Sequence, residues 1–180
     1  MGLRVIREEK MRKFTKFVVL GAFAAGILAA APINMAAAET ADQIVKKRQA
    51  VMKEFSAHSK AIGVYLKGNK DPKKAARLGT PDDIEFRAMG IAALADKLHT
   101  MFAQKTSLKD IPGKTRAKPE IWTDWNGFYA KTQNLKKLAQ GLEKAATTRD
   151  KTQIAAAFKK MGKEGCSACH KKFRGPKPKK

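Results

Sequence analysis

Apolar residues recur at mixed three- and four-residue spacings between positions 40 and 174, and the strict alternation of a half-buried strand is absent. The pattern predicts amphipathic helices over about 40–67, 80–104, 119–147 and 150–174, each roughly 25 residues long. Connections of modest length favour antiparallel packing of consecutive helices. The sequence therefore predicts an all-α protein, an antiparallel up-down-up-down four-helix bundle.

Capping residues mark the ends of the first two helices. Thr40 and Gln43 form a capping box at the start of the first helix, and Gly68 ends it. Thr80 is the expected N-cap of the second helix, with Pro81 in its first turn. The side chains predicted to face inward include Ile44, Arg48, Met52, Phe55, Ser59, Ile62 and Leu66 on the first helix, and Trp122, Trp125, Tyr129, Leu135, Leu138 and Leu142 on the third.

The first 38 residues differ from the rest of the chain. Basic residues up to Lys16 precede an apolar run over about 17–31, and three alanines at 36–38 offer a small-residue cleavage site. We expect residues 1–38 to be a secretory signal peptide and residues 39–180 to form the exported, periplasmic domain. An uncleaved membrane anchor is the alternative, although the run is shorter than the about 20 residues that span a bilayer.

The chain is strongly basic, with a formal net charge of +22. Residues 39–180 keep 32 basic and 14 acidic residues, a net charge of +18. Such a field favours anionic partners. In the periplasm these would be acidic redox proteins, membrane-bound electron-transfer complexes or lipid headgroups, and we expect no nucleic acid. The alternative is that the lysines only keep an alanine-rich bundle soluble.

The segment Cys166-Ser167-Ala168-Cys169-His170 carries the clearest chemistry. C-x-x-C-H is the attachment motif of a c-type haem. Two thiols three positions apart lie on one helix face, where they can form thioethers with the two vinyl groups of one porphyrin. The following imidazole can reach the iron as its proximal ligand. A haem iron implies electron transfer, binding of small gases, or both.

Other interpretations of this segment fit less well. A redox dithiol would open a helix after a strand, and no strand pattern precedes Cys166. A zinc site would need four ligands, and only His58 and His99 could add to the motif. A disulfide alone leaves His170 without a role. We therefore expect one haem c with its iron per chain.

Three segments make the chain resemble class II c-type cytochromes, the cytochrome c′ family, over its whole exported part. They are KRQAVM at 47–52, KPEIW at 118–122 and CHKKFR at 169–174, the last within about fifteen residues of the C-terminus. The resemblance implies a four-helix bundle in which Cys166 and Cys169 carry the thioethers and His170 is the proximal ligand. Family members are often dimers through their first two helices, so a homodimer is possible here.

The resemblance also assigns roles around the haem. Arg48 would lie near a propionate, Gln49 beside the ring, and Arg174 on the proximal side. Read from the residues alone, an inward Arg48 needs a buried anion such as a propionate, or else its side chain reaches solvent. The family often has an acidic residue where this chain has Arg116, so no acidic contact with the haem edge is expected there.

Met52 would cover the distal face of the haem, and its role decides between two functions. As sixth ligand it would give a low-spin electron carrier. As a packing residue it would leave a five-coordinate iron that binds nitric oxide or carbon monoxide. The sequence leaves both roles of Met52 open, and electron transfer is favoured by a narrow margin because both coordination states permit it. It has no evident distal histidine–arginine pair of a haem peroxidase, so we do not expect an enzyme.

Overall fold

The structure is a computed structural model that describes residues 39–177, so the predicted signal peptide lies outside the described residues. Its helices are α1 (Ala41–Lys67), α2 (Pro72–Ala75), α3 (Pro81–Leu98), α4 (Glu120–Thr123), α5 (Trp125–Thr147), α6 (Lys151–Lys160) and α7 (Ala168–Phe173). A 3₁₀ turn, His99–Phe102, follows α3, and a π-helical segment, Met161–Ser167, joins α6 to α7.

Four long helical segments form the predicted all-α bundle: α1, α3, α5 and the continuous run of α6, the π segment and α7. The helix α3 packs most extensively against α5, which also contacts α6 and the π segment, while α1 packs on α3 and α6. The larger core cluster includes Ile62, Ile84, Ile91, Leu142 and Ile154, all fully buried. No helix within residues 39–177 combines the length and apolar character needed to cross a bilayer.

The predicted caps are confirmed. The Thr40 side chain accepts a hydrogen bond from the Gln43 backbone N–H, and the Gln43 side chain accepts one from the Thr40 N–H. Thr80 and Asp83 form the same reciprocal box at the start of α3. Gly68 ends α1 with a φ of 71°, a left-handed value that favours glycine.

The third predicted helix is interrupted at Asp124, which the sequence pattern did not indicate. Asp124 has non-helical backbone angles and its carboxylate accepts the N–H of Gly127, so it caps α5. A Cβ at Gly127 would collide with that carboxylate, which explains the glycine. The buried stripe of α5 then begins at Phe128, and the prediction that Tyr129 faces inward is wrong: it is 42% exposed.

The fourth predicted helix also departs from regular α geometry. Residues 161–167 form a π-helix, whose hydrogen bonds span five residues and which is common at functional sites. Gly165 lies so close to α5 that a Cβ there would be 2.8 Å from Leu135 Cδ1. The glycine therefore lets the π segment, with Cys166 in it, lie directly against α5.

Candidate haem site

One cavity of about 750 Å³ opens between α1, α5, the loop around residues 113–117 and the α6–α7 segment. This is within the range of roughly 300–1,000 Å³ that is usual for cofactor pockets. Every site residue proposed from the sequence lines it: Arg48, Gln49, Met52, Cys166, Cys169, His170 and Arg174. Side chains more than a hundred positions apart thus meet at one site.

The lining of the cavity suits a porphyrin. Its walls are mainly apolar, with side chains that include Val45, Phe55, Leu98, Phe102, Phe128, Leu135, Phe158 and Phe173. Cations also line it, namely Lys53, Lys114, Arg116 and Lys131 in addition to Arg48 and Arg174, and no aspartate or glutamate is among these described lining residues. An apolar slot with cations and no carboxylate fits a flat ring that carries two propionates.

Cys166 and Cys169 are half-buried free thiols at the cavity wall. Burial raises the pKa of the Cys166 thiol and raises that of Cys169 to about 11, while the nearby Lys131 cation opposes the second shift. A redox dithiol depends on a lowered thiol pKa. The environment therefore argues against that alternative and is compatible with thiols that hold a cofactor.

His170 lines the same cavity and is influenced by two arginines. Burial lowers the pKa of its imidazole, and the cations Arg174 and Arg116 lower it further. Both effects favour the uncharged imidazole, which is the form that ligates metals. The other two histidines lie elsewhere: His58 packs against α3, and His99 stacks edge-on against a tyrosine of α5.

Arg48 is buried, with only 4% of its surface exposed, so its side chain does not reach solvent. Its Nε donates to the Met101 carbonyl at 2.7 Å, Nη2 to Gln104 at 2.8 Å and Nη1 to Thr106 at 3.3 Å. These three carbonyls therefore satisfy the buried guanidinium, a role that the sequence analysis gave to a buried anion such as a propionate. The propionate contact stays a prediction. The carbonyl contacts could have been anticipated, because the last carbonyls of every helix lack partners within the helix and need donors from elsewhere.

The remaining predicted residues frame the same cavity. Gln49 Nε2 donates to the Lys114 carbonyl at 2.8 Å, which holds the loop against α1. Met52 is partly buried and packs against the smaller core cluster, as do both tryptophans. Arg174 forms an isolated antiparallel bridge with Ala117, just after the haem motif.

Comparisons with known proteins agree with this site. The family model described as Cytochrome C' matches residues 43–174. Cytochrome c' of Rhodospirillum rubrum is 32% identical over 130 residues, which cover 72% of this chain and 80% of that protein. Cytochrome c-556 of Rhodopseudomonas palustris is 27% identical over 150 residues, covering 82% and 94%.

Solved structures give the same result. Cytochrome c' from Rhodobacter Spheriodes superposes with a TM-score of 0.65 at 26% identity, covering 77% of this chain and all of that one. Cytochrome c prime from Shewanella frigidimarina gives 0.62 at 28% identity, covering 77% and 98%. Residues 43–174, which the family model matches, include every residue predicted for the site. The chain therefore belongs to the cytochrome c′ family, haem proteins with one covalently attached haem c per chain that carry electrons or bind gas ligands.

Proposed function

We propose that this protein is a periplasmic one-electron carrier. Cys166 and Cys169 would hold the haem through thioethers and His170 would be the proximal iron ligand. The observation that carries the proposal is the convergence of these three side chains on an apolar cavity lined with cations. Bound haem iron supplies the Fe(III)/Fe(II) couple. The chain's own contribution is to fix the ring, supply axial ligands and exclude water.

Covalent attachment is the first point to test. Haem stain should survive denaturing electrophoresis of the wild type and be lost in a Cys166→Ala/Cys169→Ala double variant. Ser167→Ala, a change between the two cysteines, is the matched control and should keep the stain. Stain retained by the double variant would overturn the assignment of the thioethers.

The choice between an electron carrier and a gas-binding protein depends on Met52. Its thioether lies at the cavity from α1, while His170 enters from α7, so the two side chains come from different walls. A methionine as sixth ligand favours Fe(II) and a high reduction potential. This arrangement would suit an electron carrier whose iron stays closed to exogenous ligands.

Gas binding is the second candidate function. A nitric oxide complex of a mutant cytochrome c prime from Alcaligenes xylosoxidans superposes on this chain with a TM-score of 0.62 at 26% identity. Met52 packs among apolar residues, which is equally compatible with a side chain that only covers an open iron site. Optical spectra of the reduced protein with and without carbon monoxide separate the two functions. A high-spin spectrum that changes with the gas would favour gas binding.

The charge distribution supports an acidic redox partner. Lys171 is exposed beside the proximal ligand, and Lys114, Arg116 and Arg174 line the cavity. Only Lys114 of these has a carboxylate partner among the described residues, Asp42. A membrane-bound complex or a periplasmic protein with an acidic patch would fit this end of the bundle.

Exposed apolar side chains support a homodimer. Phe86 is 71% exposed on α3 and Met89, three residues on, is 49% exposed, while Val64 on α1 is 43% exposed. Residues three apart share a helix face. A second copy packing on α1 and α3 would cover them.

A further inference from the structure

Two adjacent side chains of α1 hold one distant segment of the chain, which we call the 101–118 segment. Arg48 donates to the carbonyls of Met101, Gln104 and Thr106, and Gln49 donates to that of Lys114. These four hydrogen bonds cross 53 to 65 positions of sequence. The contact joins α1 to the connection between the second and third long helices.

The accepting carbonyls explain why an arginine is needed. They lie at and just beyond the end of the 3₁₀ turn, where backbone carbonyls have no partner within the helix. The indole Nε1–H of Trp122 donates a hydrogen bond to the neighbouring carbonyl of Phe102 at 2.7 Å. The Arg48 guanidinium also lies 4.3 Å from the centre of the Phe102 ring and 5.5 Å from that of Trp122. Only a planar fork with several donors satisfies three carbonyls and stacks on rings at once.

The other end of the 101–118 segment is fastened next to the haem motif. The Lys118 N–H donates to the Phe173 carbonyl at 3.1 Å, and the Gly175 N–H donates to the Arg116 carbonyl at 2.8 Å. Between the two anchors, residues 113–117 line the cavity. The segment therefore runs from α1 to the residues that follow His170 and forms one wall of the site.

We infer that Arg48 is a positioning residue, whose guanidinium fastens the 101–118 segment to α1 and thereby sets one wall of the haem cavity. This differs from the propionate contact that the family resemblance implies, since three of the five N–H groups of Arg48 already donate to backbone carbonyls. The effect on the haem rests on the proposed haem site. The fastening itself rests only on the hydrogen bonds.

Amide hydrogen exchange of the oxidised holoprotein, read by mass spectrometry, tests the fastening. Arg48→Lys keeps the charge but loses the fork, and Arg48→Met loses both. We expect both variants to exchange roughly tenfold faster or more in peptides that cover 103–118, with other peptides unchanged. Gln49→Ala, a milder change with one bond lost, should accelerate exchange less. Arg77→Lys, at an exposed arginine between α2 and α3, is the matched control.

The dependence of the reduction potential on pH separates positioning from propionate binding. If Arg48 only positions the wall, Arg48→Lys and Arg48→Met should shift the potential in the same direction at all pH values. A different pair of results would overturn the inference. In that case the amides of 103–118 in Arg48→Lys exchange at the wild-type rate, and only Arg48→Met moves the pH-dependent step of the reduction potential. A wild type without covalent haem would refute the proposed function, while exchange in 103–118 would still decide the fastening.

Discussion

Replacing Gly165 by alanine would test how closely the π segment packs against α5. The added Cβ would lie 2.8 Å from Leu135 Cδ1 and 3.6 Å from its Cα. Carbon atoms in good contact are about 3.5–4.0 Å apart, so the first contact is too short by roughly 0.7 Å or more. Leu135 is only 7% exposed and lines the cavity, so with haem bound it can move away only toward the ring. Either its rotamer or the position of Cys166 must change.

The expected loss of stability can be estimated by comparing Gly165→Ala with Gly141→Ala. Adding one carbon to a packed core costs about 1–3 kcal/mol. Alanine also gains up to about 1 kcal/mol over glycine in a helix, which partly masks that cost. Gly141 is an exposed position of α5 where a Cβ meets nothing within 4 Å, so Gly141→Ala shows the gain alone. The difference between the two variants should therefore be about 1–3 kcal/mol.

Thermal unfolding of the holoproteins, followed by far-ultraviolet circular dichroism, measures this difference. For a chain of this size it corresponds to a gap in Tm of roughly 2–12 °C, with Gly165→Ala the less stable variant. The Soret band serves as a second readout, because a displaced Cys166 would disturb the haem. Equal Tm values for Gly141→Ala and Gly165→Ala would refute the close contact between the π segment and α5.

Four further predictions concern the iron, the partner, the dimer and pH. If Met52 ligates the iron, Met52→Ala should convert it from low-spin to high-spin, admit carbon monoxide and lower the reduction potential, because a thioether ligand favours Fe(II). Electron exchange with an acidic partner should slow steeply from 0.01 to 0.1 M salt, as the Debye length falls from about 30 to about 10 Å. If the chain forms the proposed homodimer, Phe86→Glu should dissociate it in sedimentation measurements. Hydrogen bonds from Thr80 lower the pKa of Asp83, so its stabilisation is full above its ordinary value of 3.8 and lost as pH falls further. In acid titrations of Tm, Asp83→Ala should thus differ from the wild type above pH 4 and converge with it below.

Each of these has a control or a contradicting result. Met52→Leu keeps the volume without the thioether, and a spectrum like the wild type's would show that Met52 only packs. An electron-transfer rate independent of salt would leave the lysines a role in solubility alone. Tyr129→Glu changes an exposed ring on α5 and should leave the dimer intact. A constant gap between Asp83→Ala and the wild type down to pH 2 would contradict the assigned pKa shift.

The parts of the fold that could be predicted depend on neighbours in sequence. The boxes at Thr40 and Thr80 and the end at Gly68 each involve residues within four positions of one another, so the sequence pattern indicates them. The motif at 166–170 is equally local. The gathering of all predicted site residues at one cavity follows from the bundle, although their individual roles stay predictions.

The parts that could not be predicted depend on distant contacts or on irregular backbone. The carbonyl partners of Arg48 lie 53 to 58 positions away and exist only when the connection folds back on α1. The break at Asp124 depends on a single carboxylate over Gly127, and helical periodicity continues through it. The inward positions Ile154, Phe158, Met161, Gly165 and Cys169 keep three- and four-residue spacings through the π segment, so its extra residue leaves no mark on that pattern.

The π segment also joins two helices, α6 and α7, whose orientations about the helix axis are set by different contacts. In α6 the orientation about the helix axis is set by buried Ile154, whereas in α7 Cys169 and His170 face the cavity. An α-helix advances about 100° per residue, and the wider turn of a π-helix advances less, so the π segment absorbs about one extra residue. Deleting one residue from 161–165 should therefore restore a regular α-helix and leave the haem motif nearly in phase with α6, whereas the same residues in α geometry would turn it by about 100°. The π segment thus acts as an insertion that aims the cofactor ligands without altering the bundle.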